Sequence, residues 1–178
     1  MEIIDGWLDG VKHVRSPNFN QRPPDTSIDL LVIHNISLPP GNFENTHIEN
    51  FFQNNLCYED HPYFESLKGL KVSSHFLIKR SGEIVQFVSC NDRAWHAGTS
   101  THDGRCNCND FSIGVELEGT DDLKYCSQQY TSLITLTKLL QCIYPEINKN
   151  IVGHENISPG RKTDPGKSFD WIRYRSNL

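Results

Sequence analysis

The stretch SIDLLVIHNIS constrains the fold more than any other part of the chain. Leu30, Leu31, Val32 and Ile33 follow one another without a polar interruption, so an extended segment here has two apolar sides, and both need cover. The run reads as a buried strand that delivers His34 at its C-terminal end. A second strand, FSIGVELEG, has a different character. Ile113, Val115 and Leu117 alternate with Gly114, Glu116 and Glu118, so Glu116 points off the apolar side.

The segments between and around these strands supply the cover. Thr46 and Glu49 fit a capping box, and Ile48, Phe51, Phe52 and Leu56 share one helical face, which predicts a helix over about Thr46 to Leu56. A short helical turn is expected from Pro62, stopped at Gly69. In SHFLIKRSGEIVQFVS, two apolar runs split by Ser81 and Gly82 predict a hairpin. Beyond Ser127, read as an N-cap, QQYTSLITLTKLLQCIY is apolar around much of its circumference and predicts a buried helix ending before Pro145. NIVGHEN reads as a short strand ending at His154. The order of strand, helix, hairpin, strand, helix and strand predicts an α+β fold with α/β-type layers, a central mixed sheet flanked by helices. A chain of 178 residues can bury roughly 70% of its unfolded surface. No repeat or linker divides it, so residues 1–178 are read as one domain.

Charge and composition exclude several functions. A net charge of −5 without clusters of Lys and Arg argues against binding nucleic acid. The opening MEIIDGWLDG has no basic region followed by an apolar stretch, so neither an export signal nor a membrane span is expected. The expected location is cytoplasmic, and the six cysteines are expected as reduced thiols. Cys106 and Cys108 form a C-x-C pair, but no second pair at ligand spacing accompanies them, so the structural reading outweighs a metal clip.

The segment GHENISPGRKTDPG gathers His154, Arg161, Lys162 and Asp164 among two prolines and three glycines. Two imidazoles at strand ends, His34 and His154, together with the Asp164 carboxylate, are candidates for a metal site whose fourth position stays open, the arrangement of catalytic rather than structural zinc; the competing reading of a strand-end histidine is a packing or hydrogen-bonded residue. Spacing alone leaves His13, His47, His61, His75, His96 and His102 as competing ligands. The His154–Glu155 pair is not the helical metalloprotease motif, since position 158 is Ser. DRAWHAGTSTHDGRCNCND lacks periodicity and reads as a long functional loop. Trp95 on it is a candidate wall for a sugar or part of a small core under the loop, and His96 is a candidate substrate contact. Asn35 either bonds substrate or caps its strand end.

Five segments, LLVIHNISLPPG, SSHFLIKRSGEIVQFV, RAWHAG, NDFSIGVELEG and GHENISPGRKTDPG, occur in this order over most of the chain. Together they resemble the zinc-dependent N-acetylmuramoyl-L-alanine amidases. The resemblance implies that His34, His154 and Asp164 bind Zn2+, that Glu116 and Lys162 do the acid/base and charge-stabilising work, and that Tyr63 matches a tyrosine near the active site, a catalytic candidate with packing as its other reading. A short form without an export signal implies a monomer acting on 1,6-anhydro-muramyl peptides in peptidoglycan recycling, with an effect on β-lactamase induction. The C-x-C within DGRCNCND departs from the family pattern. Three other readings stand beside this one: a non-catalytic peptidoglycan-recognition module on the same fold, an amidase of intact wall, and a structural zinc protein that uses the cysteines.

Overall fold

The computed structural model describes residues 1–178. Its main sheet contains β1 (Lys12–His13), β2 (Leu30–Ile36), β3 (Phe76–Ile78), β4 (Ile84–Gln86), β5 (Ser112–Glu118) and β6 (Ile151–Gly153), in the spatial order β6-β2-β5-β3-β4-β1. The neighbours β6, β2, β5 and β3 run parallel, whereas β3 and β4 form the expected antiparallel hairpin, so the sheet is mixed. Gly82 closes that hairpin at φ +88°, a conformation open to glycine at little cost.

The two sides of β2 are covered by different elements, as its uninterrupted apolar run requires. Leu31 and Ile33 join Ile113, Val115, Leu117, Phe76 and Ile78 on one side of the sheet, under Tyr130, Leu133, Leu136 and Leu140 of a long helix. Leu30 and Val32 lie on the other side with Ala97, Phe111 and Ile157. Further along that side, Leu77 and Val85 pack against Ile48, Phe51, Phe52, Phe64 and Leu67. The expected alternation in β5 holds, yet Glu116 and Glu118 are buried like their apolar neighbours.

The helices are α1 (His47–Phe52), α2 (Ser127–Ile143), α3 (His154–Ile157) and α4 (Trp171–Arg175). Helix α1 is shorter than its apolar periodicity predicts. Asn54 takes φ +61°, which ends the helix, and Leu56 reaches the core from irregular chain. The expected capping box does not form: Thr46 makes no side-chain cap bond, and Asn45 Oδ1 accepts from the His47 N–H instead (2.9 Å). Glu49 is buried and paired with Lys79 at 2.6 Å. Helix α2 begins one step earlier than expected, with Cys126 as N-cap and its N–H donating to Gln129 Oε1 (3.0 Å). Only one face of α2 is buried; Ser127, Gln128, Thr131 and Thr135 are exposed. The strand β6 stops at Gly153, so His154 opens helix α3 rather than ending the strand.

The long loop is organised by a residue without periodic signal. Arg22 is half-buried without a carboxylate partner, and its guanidinium donates to the carbonyls of Cys90, Asn109, Asp110 and Ser112. Burial pulls its pKa down to about 10, the expected direction for a charge satisfied only by dipoles. Cys106 is exposed whereas Cys108 is buried in the cluster of Leu30 and Val32, so the C-x-C pair does not converge on one point.

Candidate active site

Parallel register brings the proposed chemistry together. His34 and Glu116 are direct neighbours across β2 and β5, and Gly153 pairs with Ile33, which sets His154 beside His34. All three lie at the C-terminal ends of adjacent parallel strands, where α/β sheets characteristically place ligands.

Asp164 arrives from the stiff loop, which is held at several points. The Tyr125 hydroxyl donates to the Pro165 carbonyl (2.7 Å), Ser168 N–H donates to the Asp121 carbonyl (3.0 Å), and Glu155 N–H donates to the Asp164 carbonyl (3.0 Å). Two glycines permit this approach. A Cβ at Gly166 would come within 2.2 Å of Asp121 Cα, and one at Gly153 within 2.7 Å of Pro165 Cδ.

His34 Nδ1, His154 Nδ1 and Asp164 Oδ2 form a triangle with all three sides at 3.0 Å. They are the one group of His, Cys, Asp and Glu side chains gathered at metal-ligand spacing. The zinc expected from the sequence fits this donor set, because a tetrahedral ion with bonds of about 2.0–2.1 Å holds its ligand atoms roughly 3.3 Å apart. The outer ring nitrogens are engaged as well. His154 Nε2 donates to the Ala97 carbonyl (3.0 Å), and His34 Nε2 meets His96 Nδ1 (2.9 Å). Burial, then the neighbouring His154, pushes His34 down to about 4, so its imidazole is neutral and able to ligate. Burial works to raise Asp164, but the adjoining His154 and His34 imidazoles prevail and keep the carboxyl far below its usual range.

Glu116 differs from every other buried group of the cluster. It is 8% exposed, and its Oε2 has no hydrogen-bond partner. Burial and then the Asp164 charge raise its pKa well above the ordinary value, against an opposing contribution from Lys162. A carboxyl so placed holds its proton to higher pH than a solvated one, which suits it to proton exchange.

A cavity of about 520 Å³ opens over these groups and is lined by His34, His154, Asp164, Glu116, Lys162, Tyr63, Asn35 and His96. Tyr63 is 40% exposed, on a 3-10 turn over Pro62–Leu67. Asn35 donates to Asp121 Oδ1 (2.7 Å). One candidate falls outside the cavity. Trp95 is not among the lining residues; its indole N–H donates to Asn20 Oδ1 (2.7 Å), which draws the ring to the N-terminal segment. His96 lines the cavity but is largely buried, its ring held between His34 and Ser112.

Arg161, which the sequence groups with Lys162 without assigning it a role, holds two loops together. Its Nη2 donates to the Ala97 and Thr99 carbonyls (2.6 and 2.8 Å), tying the loop that carries His96 to the loop that carries Lys162. Ser112 was missed, because a strand serine carries no signal of its own.

The protein-family model described as N-acetylmuramoyl-L-alanine amidase (Amidase_2) matches residues 24–167. The chain belongs to the N-acetylmuramoyl-L-alanine amidase family. The amidase is 51% identical over 175 residues to the Escherichia coli protein named 1,6-anhydro-N-acetylmuramyl-L-alanine amidase AmpD, covering 98% of this chain and 96% of that one. A crystal structure of a selenomethionine derivative of AmpD matches it with a TM-score of 0.98 at 51% identity, over 100% of this chain and 99% of that chain. The Escherichia coli amidase AmiD, solved with anhydro-N-acetylmuramic acid-L-Ala-D-gamma-Glu-L-Lys as substrate, matches at a TM-score of 0.63 and 28% identity, over 88% of this amidase and 60% of AmiD. The fold class and enzyme family expected from the five segments are both borne out.

Proposed function

We propose that this amidase hydrolyses the amide between the lactyl group of 1,6-anhydro-N-acetylmuramic acid and L-alanine in muropeptides, with zinc held by His34, His154 and Asp164. One observation carries the reading: three ligand atoms at 3.0 Å spacing stand beside a buried carboxyl with an unpartnered oxygen, in a chain of amidase ancestry.

Zinc in this position supplies an electrophile for the amide carbonyl and lowers the pKa of water from about 15.7 toward about 7. Glu116 takes the proton released by the attacking water on its bare Oε2 and returns it to the leaving nitrogen of L-alanine. The raised pKa of Glu116 suits both halves of that transfer. Lys162 contributes positive charge on the cavity wall as the carbonyl oxygen becomes anionic, an effect worth about 3 kcal/mol of barrier in comparable sites. Tyr63 stands at the rim, placed to orient the substrate.

The place of the reaction is proposed from the same likeness: a cytoplasmic monomer in peptidoglycan recycling, whose removal of muropeptides restrains β-lactamase induction. No helix is long and apolar enough to cross a membrane. Unchanged muropeptide levels and induction after gene deletion would contradict this cellular role.

Incubation of the purified protein with an anhydro-muramyl tripeptide, followed by mass spectrometry, tests the chemistry. The expected products are the free anhydro sugar and the tripeptide. Binding of the muropeptide without cleavage would shift the assignment to a recognition module on the same fold.

A further inference from the structure

The two imidazoles of the cluster are oriented by unlike partners. His154 Nε2 lies 3.0 Å from the Ala97 carbonyl, which only accepts, and 3.4 Å from Arg161 Nη2, which donates at shorter range to the carbonyls of Ala97 and Thr99; the closer carbonyl sets the His154 proton on Nε2, and its Nδ1 lone pair faces the cluster. His34 has no carbonyl in that place. Its Nε2 meets His96 Nδ1 at 2.9 Å, and an imidazole nitrogen can donate or accept. The tautomer of His34 therefore depends on that of His96.

The next partners resolve the choice. His96 Nε2 lies 3.0 Å from Ser112 Oγ, and Ser112 Oγ donates to the carbonyl of Cys108. A serine hydroxyl has one proton, and the carbonyl has none to offer. With that proton committed to Cys108, Ser112 Oγ accepts from His96 Nε2–H. His96 Nδ1 is then bare and accepts from His34 Nε2–H, which leaves the His34 Nδ1 lone pair pointing at His154 and Asp164. The reverse setting, with Ser112 donating to His96, would place a proton on His34 Nδ1 and block it as a ligand.

We propose that Ser112 and His96 are positioning residues that set the tautomer of His34 for metal binding, with the Cys108 carbonyl as the fixed end of the relay. The relay is built into the fold. His96, Cys108 and Ser112 are buried, and Asn109 Oδ1 accepts from the backbone N–H groups of both His96 and Ala97 (3.1 and 2.7 Å). Gly114 leaves the space for the imidazole, since a Cβ there would stand 2.5 Å from His96 Cγ. Outer partners of this kind typically change metal affinity by about 10–100-fold.

The inference rests on the reading of His34 as a metal ligand, and two measurements on the zinc-loaded full chain separate them. Nitrogen NMR of the imidazoles is expected to show His34 and His96 both protonated on Nε2 and bare on Nδ1. Competition against a chromophoric chelator is expected to show Ser112→Ala and His96→Phe holding zinc about 10–100-fold more weakly than wild type. Ser112→Thr, which keeps the hydroxyl, should recover most of the loss. Amide spectra of each variant establish that it is folded. A proton on His96 Nδ1, or wild-type affinity in both Ser112→Ala and His96→Phe, overturns the relay. A wild-type protein that takes up no zinc overturns the metal reading instead, and the imidazole spectra of that sample still decide the tautomers.

Discussion

The strands β2 and β5 present two sides that are equally buried and differ in almost every other respect. On one, Leu31, Ile33, Ile113, Val115 and Leu117 meet helix α2 through apolar contact alone. On the other, His34, Ser112, Glu116 and Glu118 enter the interior as polar groups. Burial of apolar area stabilises the first side at about 25 cal/mol per Å². Each polar group on the second must recover its lost hydration through a specific partner. Glu118 does so fully, accepting from the N–H groups of Glu44 (3.1 Å) and Arg80 (2.9 Å). Glu116, two residues earlier on the same strand and the same side, leaves Oε2 without a partner. On the function proposed above, the difference between these two carboxylates separates a residue that holds loops in place from one kept ready for a proton.

Substitution should break this comparison in a graded way. The largest effect is expected from Glu116→Gln, which should lower kcat by about 10²–10⁴-fold, while the melting temperature stays level or rises, because no hydrogen bond to Oε2 is lost. A large loss of stability in that variant would mean that Glu116 is structural. Across the sheet, Ile33→Ala should lose about 2–5 kcal/mol of stability in urea titrations and retain its turnover per folded molecule. Impaired turnover at full folding would show that the two sides are not separable.

A pH experiment sharpens the same contrast. Burial depresses His34 to about 4 and His75 to about 3, and holds His96 well below its usual value. The unfolded chain therefore takes up protons first as pH falls below about 6.5. Their stabilising contribution is complete above that value and is lost toward pH 4, at about 1.4 kcal/mol per histidine per pH unit. Glu116 has the opposite sign, because its raised pKa favours the folded state as acid is added, and it offsets part of the loss. Glu155, partly exposed and also raised by burial, adds a smaller contribution of the same sign, and three buried histidines against these two carboxyls leave a net loss. The urea midpoint of the chelated protein should be lower at pH 5 than at pH 7, with an unchanged slope. Equal midpoints would contradict the neutral, buried state of these imidazoles.

The smallest effect is expected at Glu118. Glu118→Ala should cost about 1–3 kcal/mol through the two backbone N–H groups it leaves unpaired, with turnover retained. A loss of turnover comparable to that of Glu116→Gln would make the two carboxylates one functional unit.

Much of this arrangement was legible before any coordinates, and the exceptions have physical causes. The run Leu30–Ile33 announces a strand covered on both sides, and the alternation around Glu116 places it opposite the apolar residues. His34 and His154 stand out as strand-end histidines, although only parallel register turns two strand ends into one site. The role of His96 depends on that register and on the room left at Gly114, neither of which periodicity reports. Trp95 belongs with Asn20, a partner 75 residues away. The early end of α1 comes from the left-handed Asn54, while the apolar pattern runs on to Leu56 because that side chain still enters the core. Arg22 shows the limit most clearly, as a lone arginine in a polar segment looks like surface charge until the carbonyls that surround it are known.

Metal content tests the central claim most directly. Wild-type protein, His34→Ala, His154→Ala, Asp164→Ala and the Cys106→Ser/Cys108→Ser double variant would be purified alike and analysed by mass spectrometry for bound zinc. The account predicts one zinc per chain in wild type and in the cysteine variant, and its loss in each of the three ligand variants. Zinc retained in those three, or lost with the cysteines, would contradict it and assign the metal a structural role elsewhere in the chain.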